Sequence, residues 1–217
     1  MPIADLSHRI ADADVTTPGQ PGPRIGYWKT HADTRGLYAE GTSFSFSHLD
    51  MIGGTGTYLD APLHRFENGA DIASLPLERL VNVPGIVVDA PWQHDVTLAA
   101  DAVAGLDVRG KAVLIRTGWD ARFGTAEYLG GHPYLSTEAA DALVDGGAAI
   151  VGIDSVNIDS TEGNERPIHT ALLAAGIPIV EHLRGLELVP HNGFLFTATP
   201  LNFVGLATSP VRAVASW

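Results

Sequence analysis

The chain has 217 residues, 45% hydrophobic and 18% charged, with 13 basic against 25 acidic residues for a net charge of −12. That length buries a core without staples, and that charge, with no basic run or interleaved aromatic patch, excludes binding to a phosphate backbone, so no nucleic-acid partner is expected. The absence of cysteine excludes disulfide frameworks, thiolate metal sites and cysteine nucleophiles, and leaves nitrogen and oxygen as the ligands of any metal.

The opening MPIADLSHRIADAD has no basic start followed by a long apolar run, and nowhere do about 18 apolar residues follow one another as a membrane span requires. A cytoplasmic chain with no membrane partner is expected, one domain over residues 1–217 whose N-terminal arm or loop covers about residues 1–30. High apolar content against few charges leaves surface that a subunit interface can cover, so a homo-oligomer is expected.

Residues 2–10 (PIADLSHRI) alternate as an opening strand, and 16–24 (TTPGQPGPR) is a proline and glycine loop. Tyr27 and Trp28 form an aromatic pair in a segment with few neighbours to bury it: a packing lid or subunit contact, or a substrate-stacking wall. Phe44 and Phe46 alternate with serines, the period of a half-buried strand. A turn or short helix over 72–80 precedes an apolar strand at 86–89, then Thr97–Leu106 (TLAADAVAGL) reads as a helix capped by Thr97, and 111–117 (KAVLIRT) as a strand. Trp119 follows that strand, where α/β folds collect functional groups, and is either a pocket wall or core.

Ser136 or Thr137 caps a helix over 138–145 that Gly146 and Gly147 end. Residues 148–153 (AAIVGI) read as a strand covered on both faces, with Asp154 and Ser155 at its far end bonding the backbone of a neighbouring loop. The polar stretch 155–168 reads as a loop, 169–175 as a short helix closed by Gly176, and 177–183 (IPIVEHL) as a strand with Glu181 facing away from Val180 and His182. Segments 194–203 and 211–214 close the fold as strands. This is an α/β chain in which strand and helix alternate.

Polar groups crowd where a fold alone does not need them, in GGTGTYLDAPLH. A strand over 54–60 puts Gly54, Gly56, Tyr58 and Asp60 on one face. Pro62 then ends ladder pairing and turns the chain, leaving His64 free to swing back beside Asp60. Downstream, Glu181 is a carboxylate inside an apolar strand, and such a group asks for a cation or a hydrogen-bonding neighbour. His48, two residues before Asp50, is a candidate to face the same pocket.

Residues 54–64 resemble the signature H-x-G-T-H-x-D-x-P-x-H of the cyclase family, which includes arylformamidases and isatin hydrolases. Gly54 and Tyr58 stand at its first two histidine positions, while Gly56, Thr57, Asp60, Pro62 and His64 match. The resemblance continues through DLSH near the start, LIRTGWD, HPYLS, VGIDS and IHTALLAAGIPIVEHL.

It implies a swivelling β/β/α sandwich with mixed sheets and flanking helices, assembled as a homodimer or homotetramer. It also implies a hydrolase of amides, lactams or lactones of small, often aromatic molecules. Asp60, His169 and Glu181 are then the implied ligands of one divalent metal, zinc or manganese by their nitrogen and oxygen donors, with His64 the general acid/base. Tyr58, on the face of Asp60, can donate to a developing oxyanion or fill the space of the replaced ligand. With Trp28 and Trp119 it makes up the candidate substrate contacts, and with His64 and Glu181 the candidate catalytic set. The alternative is a metal-independent cyclase, dehydratase or isomerase run by His64, Tyr58 and Glu181.

Overall fold

Residues Ala112–Arg116 (AVLIR) are buried at four of five positions, and their side chains divide between two cores. Val113 and Ile115 pack among helix residues, Leu143, Leu172 and Leu173, while Ala112 and Leu114 pack with Leu59, Phe194 and Phe196. Period-two alternation with both faces apolar is what a central strand of a covered sheet requires.

The computed structural model describes residues 1–217. Its strands are β1 (Ile3–Asp5), β2 (Arg24–Lys29), β3 (Phe46–Asp50), β4 (Tyr58–Asp60), β5 (Val83–Asp89), β6 (Thr97–Leu98), β7 (Ala112–Arg116), β8 (Tyr134–Leu135), β9 (Ile150–Ile153), β10 (Ile179–Glu181), β11 (Asn192–Thr199), β12 (Thr208–Pro210) and β13 (Arg212–Ser216). The α-helices are α1 (His31–Thr34), α2 (Thr137–Gly146) and α3 (Pro167–Ala174). Nine strands make one sheet in the order β1-β13-β11-β5-β7-β9-β10-β4-β12. Its centre, β5-β7-β9-β10, is parallel, and the outer pairs on both sides are antiparallel.

Helices α2 and α3 cover one face; the other core is built from strands and short turns alone, including Leu75, Leu80 and Leu186. This is the mixed β/β/α architecture expected from the sequence. Gly152 in β9 leaves room for neighbouring side chains: a Cβ there would lie 2.6 Å from Leu183 Cδ1 and 3.0 Å from Leu114 Cδ2. No helix is long and apolar enough to cross a membrane.

Helix α2 begins where its cap predicts, the Ser136 side chain accepting from the Ala139 amide, and ends at Gly147 in the left-handed region. The expected helix over Thr97–Leu106 is not formed. Thr97 and Leu98 pair in parallel with Tyr134 and Leu135, and only a short 3-10 turn at Ala100–Ala102 follows. Pairing with a distant strand outweighs the local preference of an alanine-rich segment.

Strands β2 and β3 pair only with each other, with α1 between them, and form a projecting hairpin. Phe46, expected half-buried, is 54% exposed on it.

Candidate active site

Strand β4 is short because Gly56, at φ +63°, breaks the extended run before it. Its three residues lie between β10 and β12, in a register that sets Tyr58 opposite Glu181 and Asp60 opposite Ile179. Direct cross-strand neighbours touch, and the Tyr58 phenol donates a hydrogen bond to Glu181 Oε2. Glu181 also accepts from the Ile158 amide at 2.7 Å on Oε1 and from Asn157 Nδ2 at 3.3 Å on Oε2. Burial pushes its carboxyl pKa up; His169 opposes that push and Asp60 adds to it.

The chain then turns at Pro62, the first residue of a 3-10 turn that ends at His64. This brings His64 Nδ1 to 3.9 Å from Asp60 Oδ1, with the His64 side chain 41% exposed at the mouth of the cluster. Burial lowers the His64 pKa below its usual value although Asp60 pulls it up, so the imidazole is neutral at pH 7 and able to take a proton.

Helix α3 delivers His169. Arg166 at its N-cap offers no capping oxygen, and Asp159 supplies one from the preceding loop, accepting from the amides of Ile168 at 2.8 Å and His169 at 2.9 Å. The same carboxylate accepts from His169 Nδ1 at 2.6 Å. That bond fixes the tautomer and turns Nε2 inward, where it lies 3.5 Å from both Asp60 Oδ2 and Glu181 Oε1. Burial works against a charge on His169, but Glu181, Asp159 and Asp60 outweigh it and raise its pKa to about 10. Two carboxylates converging on one imidazole demand a positive charge, as a proton or as a bound cation.

Both oxygens of Asp60 are buried with no hydrogen-bond partner. A buried carboxylate without donors is costly, and a cation is the partner that such oxygens fit. Asp60, His64 and His169 offer ligand atoms within 4.8 Å of one another, a three-residue set able to hold a metal. Glu181 Oε1, outside that set, lies 3.5 Å from the same imidazole nitrogen. The donors are nitrogen and oxygen, as a cysteine-free chain requires.

The structure thus brings Tyr58, Asp60, His64, His169 and Glu181 together. It does not bring the two tryptophans. Trp119 is a correction: it is only 3% exposed, donates its indole N–H to the Tyr128 carbonyl at 2.8 Å, and packs edge-on against Trp92, so it is core rather than pocket wall. Trp28 is 68% exposed on the hairpin, in a groove with Tyr27, His48 and Asp50 that shares no residue with the cluster, so this chain's Trp28 and His48 do not line its own site.

His182, expected to point away, instead adopts φ +55°, which breaks strand alternation. Its ring lies 5.4 Å from that of Tyr58 and accepts or donates at Nδ1 to the Tyr128 hydroxyl at 2.8 Å. Asp159 and Asn157 were hidden in a stretch that reads as plain loop. The missing cap at Arg166 is the signal that an acidic residue upstream must serve α3.

The family model described as "Putative cyclase" matches residues 4–160. Kynurenine formamidase of Salinibacter ruber (strain DSM 13855 / M31) is 30% identical over 217 residues, covering 99% of this chain and 97% of that protein. Among solved structures, isatin hydrolase A from Labrenzia aggregata bound to benzyl benzoate superposes with a TM-score of 0.83 at 27% identity, covering 99% of this chain and 93% of that one. A potential metal-dependent hydrolase with cyclase activity does so with a TM-score of 0.80 at 28% identity, covering 99% and 96%. The chain belongs to the cyclase family and is one of its hydrolases.

Proposed function

We propose that this protein hydrolyses an amide or lactam of a small aromatic molecule, of the kind named for its relatives, with Asp60, His169 and Glu181 holding one zinc or manganese ion and His64 moving the proton. The observation that carries the reading is the buried Asp60, both oxygens unpartnered, sharing His169 Nε2 with a second buried carboxylate. An ion bound there would supply polarisation of the acyl carbonyl and acidification of water.

The chain's own groups do the rest. Asp60 Oδ1 faces His64 Nδ1 at 3.9 Å, and Nε2 of the ring would accept the proton of an attacking water. As the C–N bond breaks, the same nitrogen returns that proton to the leaving amine, giving a carboxylic acid and an amine. Tyr58, whose pKa burial and the neighbouring carboxylates push well above the usual phenol range, stays protonated as a hydrogen-bond donor. Asp159 keeps its negative charge, its bonds from His169 and two amides outweighing burial, and holds the His169 ring in place.

The test is turnover of an aryl formamide, isatin and an aryl lactone by the purified chain before chelation, after it, and after zinc or manganese is restored. Loss on chelation and recovery on addition are expected, and His64→Ala should lower turnover by about 10²–10⁴-fold, the range of general acid–base catalysis. Full activity in the chelated protein, or an unaffected His64→Ala variant, would contradict the reading.

The same reading includes a homo-oligomer. Ile25, Tyr27, Trp28, Phe46 and Leu49 are all exposed on the hairpin, and an isolated two-stranded hairpin is marginal in water. A second copy of the chain is the partner that would cover it.

A further inference from the structure

Glu181 does not offer both of its oxygens. Oε2 accepts from the Tyr58 hydroxyl and from Asn157 Nδ2, which occupies both acceptor positions of that atom. Oε1 accepts only from the Ile158 amide and keeps one position, on the side facing His169 Nε2. The Tyr58 ring lies beside Gly54, where a Cβ would sit in ordinary contact, 3.8 Å from the ring's Cε1 and Cζ. The His182 ring lies tilted next to that of Tyr58, centroids 5.4 Å apart.

Asp60 divides in a similar way, Oδ2 toward His169 Nε2 and Oδ1 toward His64. What remains to converge on one point is a single oxygen of Glu181, a single oxygen of Asp60 and one imidazole nitrogen. Three protein ligands with one open position is the arrangement that suits catalytic zinc, whereas manganese favours a fuller, oxygen-rich shell.

Resting on the metal-assisted reading, we propose that Tyr58 is a positioning residue that sets metal selectivity: by committing Glu181 Oε2 to its hydroxyl, it restricts Glu181 to one ligating oxygen and favours zinc over manganese. Without the hydroxyl, Oε2 keeps only its 3.3 Å bond from Asn157 and has one acceptor position free, so Glu181 can bind through both oxygens and the coordination number rises.

The experiment is competitive titration of the chelator-stripped full chain with Zn²⁺ and with Mn²⁺, for wild type and Tyr58→Phe, with thermal melting to confirm that both are folded. The ratio of zinc to manganese affinity should fall by about tenfold in Tyr58→Phe, the scale on which groups behind the ligands tune a site. A ratio unchanged within about twofold, against that same scale, would overturn the proposal. Cobalt substitution of the wild type gives a readout that needs no variant. Intense visible absorption of a four-coordinate ion is expected, and the weak absorption of a six-coordinate ion would overturn the proposal. A wild type that takes up neither zinc nor manganese would defeat the metal-assisted reading itself, a result distinct from bound metal with an unmoved ratio.

Discussion

Asp60 concentrates the cost of this site. It is fully buried, and neither oxygen finds a donor, while the two other carboxylates nearby, Glu181 and Asp159, are each satisfied by two or more. Burying an uncompensated charge costs several kcal/mol, so the fold tolerates Asp60 only with a positive partner beside it. His182 shows a second local cost. Its backbone sits in the left-handed region and its ring is buried, with burial pushing the pKa down to about 3, aided by His8 and His132.

The sign of its linkage is fixed: the folded pKa lies below the usual 6.5, so the neutral ring contributes stability above pH 6.5 that is lost as pH falls toward 3. His182→Asn keeps a residue that tolerates the left-handed conformation but does not titrate. Wild type should therefore be the more stable at pH 7, and its advantage in urea unfolding should shrink as pH falls through 6 to 4. A constant difference across that range would contradict the assignment.

At the scale of elements, the site is placed by three connections: a short strand between β10 and β12, a 3-10 turn at Pro62, and a helix capped from a loop. The turn was legible in the sequence and the strand only in part: it reads as 54–60, whereas Gly56 at φ +63° confines it to Tyr58–Asp60. Asp60 and His64 flank a proline whose turn can only fold back, α2 announced itself by its cap and closing glycines, and α3 by Gly176 alone. The third was not, because Asp159 acts across ten residues on amides that the sequence leaves without an obvious acceptor.

The Thr97–Leu106 segment misled for the same kind of reason, its strand being set by Tyr134 and Leu135 rather than by its own alanines. Trp119 stood at a strand end, where pockets gather, yet its indole N–H is consumed by a buried carbonyl. Strand β9 carries the element-scale prediction. Gly152→Ala forces a methyl against Leu183 and Leu114, and overpacking of this kind costs about 1–3 kcal/mol. A lower urea midpoint with an unchanged slope is expected; unchanged stability would show that the Leu183 and Leu114 side chains can shift to admit the methyl.

For the whole molecule, two apolar surfaces stand apart from the two cores. One is the hairpin, and the other is the loop carrying Leu201, Phe203 and Val204, all exposed just before β12. Exposed apolar area on this scale marks association in soluble proteins. The chain should run in light scattering at twice or four times its 22.9 kDa, and Trp28→Ser with Phe46→Ser should shift it toward the single-chain mass. A wild type of 22.9 kDa at all concentrations would rule out a homo-oligomer.

The central claim is that residues from β4, β10 and α3, far apart in the chain, converge to hold one cation beside His64. An anomalous difference map from crystals grown with zinc or manganese tests it most directly. The expected result is one strong peak within about 2.0–2.2 Å of Asp60, His169 and Glu181, the usual reach of such ligands. A map with no peak among these three residues, from protein shown to be active, would contradict it.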